Sequence, residues 1–355
     1  MNYVIAGGGT GGHIYPAVAI AERLAGSGSV TMLARSGSME QRVFESQGLT
    51  VATVSSAPLL YSLRSLWRLA IATTSGVRLA RKVMVANHAD AFIGTGGYVS
   101  VPGIIAALMT RVPVFLLEQN TVMGRANKLF AHGARRVFLG FPLEHAHGPR
   151  YVVTGNPLRR ELYMALAECR STGSTANGLL FLGGSGGARF VNDLFLQAVR
   201  QLDTEGRDLE VIVVTGNDDY GRICDEVARL KLQHVVPSIV AYEDHMERLY
   251  CKTRVAVTRG GALALTELAV GGIFAVIVPY PYAVGHHQSR NAAYLESQGL
   301  GICMEQNSLN FEKFLSTVKG ALDGGKTRML DQESIFATDA GDLIASAIEQ
   351  ECQHG

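Results

Sequence analysis

Short apolar runs alternate along the chain with stretches that are apolar at helical spacing, and several of the runs end in glycine. Residues 3–6 form such a run and close on Gly7, and 14–24 are apolar at every third or fourth position. The opening therefore reads strand, loop, helix. Pro16 falls in the first turn of the helix so read, where its missing N–H costs little. A second run at 30–34 completes a βαβ unit. The alternation continues with a strand at 91–93, a helix at 104–109 and a buried strand at 112–117, so the first half predicts a parallel sheet with crossover helices. At Gly155-Asn156-Pro157 the pattern breaks. After a polar stretch at 171–177 it resumes with strands at 179–182, 211–214, 255–257 and 275–278. An apolar helix near 340–348 fits either half by periodicity alone. The expected class is α/β with two domains, and 355 residues exceed what one hydrophobic core usually fills.

Glycine is concentrated where strand gives way to helix. Gly7 to Gly12 precede His13, Gly94 to Gly97 precede Tyr98, and Gly183 to Gly187 follow the first strand of the second half. A glycine loop that opens a helix offers free N–H groups and the positive end of the helix dipole, which is a phosphate site. The first loop also satisfies G-x-G-x-x-G. The second strand nevertheless ends at Ala34-Arg35, without the acidic residue that holds the ribose of NAD. Arg35 suits a 2′-phosphate, so NADP binding stays as a fold-level alternative. One dinucleotide does not need three glycine loops. Loops at the carboxyl ends of parallel strands face one crevice, so three of them suit two phosphate-bearing ligands.

His13, directly after the first loop, is a titratable group near neutral pH and reads either as a general base for an attacking hydroxyl or as a helix-entry imidazole that hydrogen-bonds backbone, and its place beside a phosphate loop favours the first. Glu118-Gln119-Asn120 ends a strand, so Asn120 either reads sugar hydroxyls or caps the strand. Glu267, on a helix opened by Arg259-Gly260-Gly261-Ala262, is placed to accept both hydroxyls of a ribose, although an exposed helical Glu is the commoner outcome. His286-His287-Gln288 with Asn291 does not amount to a metal site: adjacent histidines cannot face one ion on a regular element, and no carboxylate cluster accompanies them. Asp218-Asp219 fits a turn better than a metal–nucleotide clamp. No cofactor or metal is required by these motifs.

A formal charge of +1 argues against nucleic acid as the main partner. Cys169, Cys224, Cys251, Cys303 and Cys352 form no CxxC pair, so reduced thiols of a cytosolic protein are expected. The first residues carry no basic n-region or cleavage site, and no stretch of about 18 to 20 uncharged apolar residues occurs. The protein is therefore expected inside the cell and outside the bilayer. From Leu59 to Lys82, Leu59, Leu60, Leu63, Leu66, Trp67 and Leu69 interleave with Arg64 and Arg68, and Arg78, Arg81 and Lys82 follow. That pattern reads either as an interfacial membrane patch or as an amphipathic helix covering its own core.

The ordered set of motifs closely resembles the MurG family over nearly the whole chain. Those enzymes are glycosyltransferases that convert lipid I to lipid II in peptidoglycan synthesis. The resemblance rests on Gly8-Gly9-Thr10-Gly11-Gly12-His13, Thr95-Gly96-Gly97-Tyr98, Glu118-Gln119-Asn120, Thr154-Gly155-Asn156-Pro157-Leu158-Arg159, Gly183-Gly184-Ser185, Arg259-Gly260-Gly261-Ala262 to Glu267, and His287-Gln288 to Asn291. It implies a GT-B fold of two Rossmann-like domains whose parallel sheets face a central cleft. Residues 1–157 would form an acceptor and membrane-association domain to which a helix at about 338–355 returns, and 158–337 would bind the donor. It further implies inverting transfer of GlcNAc from UDP-GlcNAc to the C4 hydroxyl of the muramyl sugar of lipid I. The setting would be the cytoplasmic side of the inner membrane, with the Leu59–Lys82 patch as the peripheral contact.

By position, His13 and Glu267 are the candidate catalytic residues. Ser185 and Arg159 would contact the donor diphosphate, Glu267 the ribose, Gln288 and Asn120 the GlcNAc hydroxyls, and Met246 the uracil. Thr10, Gly11, Gly12, His13, Ala262, Leu263 and His287 would complete the UDP-GlcNAc site. Gly9, Thr10, Gly11, Gly96, Gly97 and Tyr98 would hold the acceptor diphosphate. Gly186, Ala264 and His287 depart from the commoner family residues and put single donor contacts in question. Another GT-B glycolipid transferase and a UDP-GlcNAc epimerase are the alternatives.

Overall fold

The computed structural model describes residues 1–55, 63–171, 176–184, 187–324 and 334–353, with the backbone only at 63–72. Two compact units result, one comprising 1–160 with 338–355 and the other 161–337.

The first unit is built on seven parallel strands in the order β3-β2-β1-β4-β5-β6-β7. They are β1 (Asn2–Ala6), β2 (Ser29–Ala34), β3 (Thr50–Thr53), β4 (Ala91–Gly94), β5 (Val114–Glu118), β6 (Arg136–Leu139) and β7 (Tyr151–Val153). The central strands read as continuous apolar runs because both faces are covered. On one face lie α1 (Gly11–Leu24), α2 (Met39–Ser46) and the returning α13 (Ala340–Gln353). Ile344 and Ile348 of α13 share a core with Ile14, Ile20 and Leu24 of α1. On the other face α3 (Leu63–Ala86) and α4 (Ser100–Thr110) pack over Val4, Phe92 and Leu116, and α5 (Arg125–Phe130) follows β5. The helix α13 is also held by charge. The guanidinium of Arg23, nearly buried, donates to Asp339 at 2.6 Å, and Arg135 and Arg136 both donate to Glu351, at 2.5 and 2.7 Å.

Helix α1 begins at Gly11, three residues before its apolar pattern does, so Pro16 sits inside the helix rather than in its first turn. The intrahelical bond it removes is one to Gly12, which is exposed and can be served by water.

The second unit has six parallel strands in the order β10-β9-β8-β11-β12-β13. They are β8 (Gly178–Leu182), β9 (Leu209–Val214), β10 (Val235–Val240), β11 (Thr253–Thr258), β12 (Phe274–Ile277) and β13 (Gly301–Cys303). The helices are α6 (Arg160–Ser171), α7 (Arg189–Thr204), α8 (Tyr220–Leu230), α9 (Glu247–Tyr250), α10 (Ala262–Val270), α11 (His287–Ser297) and α12 (Phe311–Asp323). Phe181, Phe195, Val213, Val257 and Phe314 fill the core on one face of this sheet. Asp218 and Asp219 lie in a turn before α8, where Asp219 takes both nitrogens of a fork from Arg222 at 2.6 Å.

The expectation that the cysteines are all reduced is overturned. Cys169, near the end of α6, and Cys251, directly after α9, form a disulfide with Cα atoms 5.7 Å apart. The two are 82 residues apart, and the fold rather than any spacing motif brings them together.

Candidate active site

In both sheets the chain reverses its direction of growth beside the first strand laid down, between β1 and β4 in the first unit and between β8 and β11 in the second. The glycine loops follow just these strands, and crevices at such reversal points are where open parallel sheets bind ligands.

In the first unit Thr10, extended and without a side-chain cap bond, leads into α1, whose first turn carries no acidic residue. The N–H groups of Gly11 and Gly12 therefore have no intrahelical acceptor at the positive end of the helix. The loop after β4 interlocks with this one. Gly97 has φ +76°, and a Cβ there would sit 2.1 Å from the Gly8 carbonyl oxygen; a Cβ on Gly96 would sit 2.7 Å from Nδ1 of His13. Only glycine permits both the conformation and the approach. Tyr98 backs Gly9, and the Arg35 guanidinium lies 5.5 Å from its ring, an arrangement that occupies the residue considered for a 2′-phosphate.

His13 is oriented by groups that sequence reading quoted without assigning a role. Its Nδ1 lies 2.9 Å from the Thr95 carbonyl oxygen and 3.2 Å from Oε1 of Gln119. A carbonyl oxygen only accepts, so Nδ1 carries the proton, and the lone pair of the neutral ring is on Nε2. Gln119, 1% exposed, donates through Nε2 to that same carbonyl at 2.6 Å, and Thr95 Oγ1 donates to the His13 carbonyl at 2.7 Å. Asn156 in turn donates to the Gln119 carbonyl at 3.1 Å.

Glu118, also buried, accepts from the backbone of Asn120 at 3.1 Å, Gly124 at 2.7 Å and Nδ2 of Asn127 at 2.9 Å. It also lies 3.4 Å from Nδ2 of Asn120. Arg159 packs its guanidinium 5.2 Å from the ring of Tyr15, one turn along α1 from the glycine loop. Both belong to the first unit.

In the second unit Ser185 and Gly186 lie outside the described residues. The loop after β11 is held from α11. Oε1 of Gln288 accepts from Gly260 at 3.2 Å and Tyr280 at 2.9 Å, and buried Asn291 donates to the Gly260 carbonyl at 3.0 Å. A Cβ on Gly260 would lie 2.3 Å from the Gln288 carbonyl oxygen, so this approach too requires glycine. With Oε1 engaged, Gln288 keeps the Nε2 end of its amide as a donor. Arg259 is a bracket within the protein: it donates to the carbonyls of Val278 and Pro279 and to Gln306, between the rings of Phe190 and Tyr280. Burial holds its pKa below the usual guanidinium value. Ala262 and Leu263 are the first two residues of α10, whose Gly261 cap offers no side chain, so their N–H groups lack intrahelical acceptors. Nδ1 of His287 meets the Val284 carbonyl at 2.8 Å, so its Nε2 carries the lone pair of the neutral ring.

Glu267 lies on α10 and accepts from the hydroxyl of Tyr250 at 2.7 Å. Tyr250 ends α9, the short helix that Met246 opens. The nucleoside candidates Met246 and Glu267 are thus tied to one corner of the second unit, and Tyr250 is a residue that sequence reading missed.

Two α/β units with glycine loops at their reversal points fit the nucleotide-sugar glycosyltransferases as a class, and comparison with known proteins makes the assignment. Residues 3–139 match the glycosyltransferase family 28 N-terminal domain and 178–344 match the family's C-terminal domain. The chain belongs to glycosyltransferase family 28. It is 34% identical, across 99% of both chains, to the UDP-N-acetylglucosamine--N-acetylmuramyl-(pentapeptide) pyrophosphoryl-undecaprenol N-acetylglucosamine transferase of Syntrophotalea carbinolica. It is 32% identical to the protein of that name from Halothermothrix orenii, over 92% of this chain and 91% of that one. The crystal structure of MurG from Acinetobacter baumannii superposes with a TM-score of 0.76 at 26% identity, covering 98% of this chain and 99% of that one.

Proposed function

We propose that this chain moves N-acetylglucosamine from UDP-GlcNAc to the C4 hydroxyl of the muramyl sugar of lipid I, giving lipid II and UDP. The observation that carries the reading is full-length similarity to transferases of that name, together with a histidine whose tautomer is fixed beside a phosphate loop. Nε2 of His13 takes the proton of the C4 hydroxyl as its oxygen bonds to the anomeric carbon. The bond from that carbon to the β-phosphate oxygen breaks on the opposite side, so the configuration inverts.

The second unit holds the donor. Met246 borders the uracil, Glu267 accepts the ribose hydroxyls, and Gln288, His287 and the N–H groups of Ala262 and Leu263 serve the diphosphate and sugar. Ser185 adds to the diphosphate contacts. Gly9, Thr10, Gly11, Gly96, Gly97 and Tyr98 hold the acceptor diphosphate. Helix starts and Arg159 stabilise the departing charge.

Attachment to the cytoplasmic face of the inner membrane is part of the proposal. Leu59, Leu60 and the side chains to Leu69 lie outside the described residues, but neighbouring features support a surface contact. Leu79, Met109 and Leu129 are 41%, 63% and 72% exposed on α3, α4 and α5, among exposed Arg78, Arg81, Lys82 and Lys128. Among the described residues no helix is long and apolar enough to cross a membrane. Replacing Met109 and Leu129 by Asp should release the protein from sedimenting anionic vesicles; unchanged sedimentation argues against this surface.

Incubation of the purified protein with radiolabelled UDP-GlcNAc and a lipid I analogue tests the reaction. A labelled disaccharide lipid is expected. Label that stays in a nucleotide sugar, or release of free GlcNAc alone, would refute it.

A further inference from the structure

Tyr250 is buried, with 2% of its surface exposed, in a corner fixed on several sides. Its backbone N–H donates to the Met246 carbonyl at 2.9 Å. The next residue, Cys251, is joined to Cys169 of α6, and two residues further on Thr253 donates to the Leu249 carbonyl at 2.8 Å. A phenylalanine would fill the same space without the cost of a buried hydroxyl, and a buried hydroxyl is tolerated when it has a partner. Here the partner is the carboxylate of Glu267, at 2.7 Å. Burial first, and then the neighbouring charge of Glu267, push the phenol well above its ordinary pKa, so it stays protonated and is the donor.

We infer that Tyr250 is a positioning residue that sets the rotamer and lone-pair directions of Glu267, so that the carboxylate is ready to accept the hydroxyls of a nucleotide ribose. The inference rests on the ribose reading of Glu267 given above. A glutamate side chain that is free to rotate loses rotamer entropy when it grips a ligand, on the order of 1 kcal/mol or more, and a fixed partner removes that cost before binding. Tyr250 touches no substrate. It makes the second unit selective for ribonucleotides over nucleotides that lack sugar hydroxyls.

Titration calorimetry with UDP and with 2′,3′-dideoxy-UDP tests this on the full chain, on Tyr250→Phe and on Glu267→Gln. The wild type is expected to prefer UDP by roughly tenfold to a hundredfold, the worth of hydrogen bonds to a charged group. Glu267→Gln should lose most of that preference. Tyr250→Phe should lose a large part of it through weaker UDP binding, while its affinity for the dideoxy nucleotide holds. Any unfolded fraction of a variant lowers the apparent binding of both nucleotides alike, so the ratio remains readable, and the thermal midpoint reports the fold separately.

If Glu267→Gln loses the preference and Tyr250→Phe keeps it, the positioning role is wrong. Equal weakening of both nucleotides by Tyr250→Phe also overturns it, because that is what a purely structural residue does. If Glu267→Gln keeps the preference, the ribose reading itself fails and the inference falls with it.

Discussion

The two reversal points share a plan and differ in what braces them. In the first unit the loops after β1 and β4 are held by side chains, with Thr95, Gln119 and Asn156 in a chain that ends on His13. In the second unit the loop after β11 is held by Gln288 and Asn291 of α11 gripping the backbone of Gly260, while Tyr250 holds the carboxylate of Glu267. Bracing a titratable ring through one nitrogen prepares the other for a proton. Bracing a carboxylate and a row of N–H groups suits a binding site for a sugar nucleotide. On the proposed reading, the same α/β scaffold is turned to proton transfer in one unit and to recognition in the other by the residues behind the glycines.

The sharpest way to break this division is His13→Ala. Turnover should fall by roughly a hundredfold to ten-thousandfold while UDP affinity measured by calorimetry is unchanged. Equal loss of both would count against the base role.

Packing offers a second contrast. In Gly97→Ala the added methyl meets the Gly8 carbonyl and the backbone is left-handed, so about 3 kcal/mol of stability should be lost. Gly184→Ala, with φ +86° and nothing among the described residues within 4 Å of the methyl, should cost only the backbone strain, about 1 kcal/mol. Denaturant midpoints of the two variants check the order, and equal midpoints would contradict the interlocked loops.

Cys169→Ser should lower the stability of the oxidised protein by about 2–3 kcal/mol, and added reductant should erase the difference from wild type.

The smallest effect is expected at α13. Hydrogen bonds from Arg135 and then Arg136 hold the Glu351 carboxyl below its usual pKa. A depressed carboxylate contributes stability that is present above its unfolded pKa and lost as pH falls through its folded one. Glu351→Gln should therefore cost about 0.5–1 kcal/mol near neutrality, and thermal midpoints should show the gap closing in acid.

Much of the architecture could be read from the chain because it is local. Runs such as 179–182, buried on both faces, and the glycines that end them are short-range signals, and they placed the central strands and the glycine loops. The onset of α1 was misplaced because Gly11, Gly12 and His13 carry no apolar period, although they are helical. What stayed hidden is non-local. Gln119 reaches His13 across 106 residues, Tyr250 reaches Glu267 across 17, and the disulfide spans 82. None of these pairs has a spacing rule, since each exists only once two separate elements have packed. Asn120 and Arg159 show the converse: their motif was visible, but not that Glu118 and Tyr15 already engage them.

Amide hydrogen exchange with and without UDP tests the division of labour most directly. UDP should slow exchange at 246–250 and 259–263 in the second unit and leave 8–13 and 95–98 in the first unit unchanged. Protection at 8–13 with none at 259–263 would show that the nucleotide belongs to the first unit, and the account would be wrong.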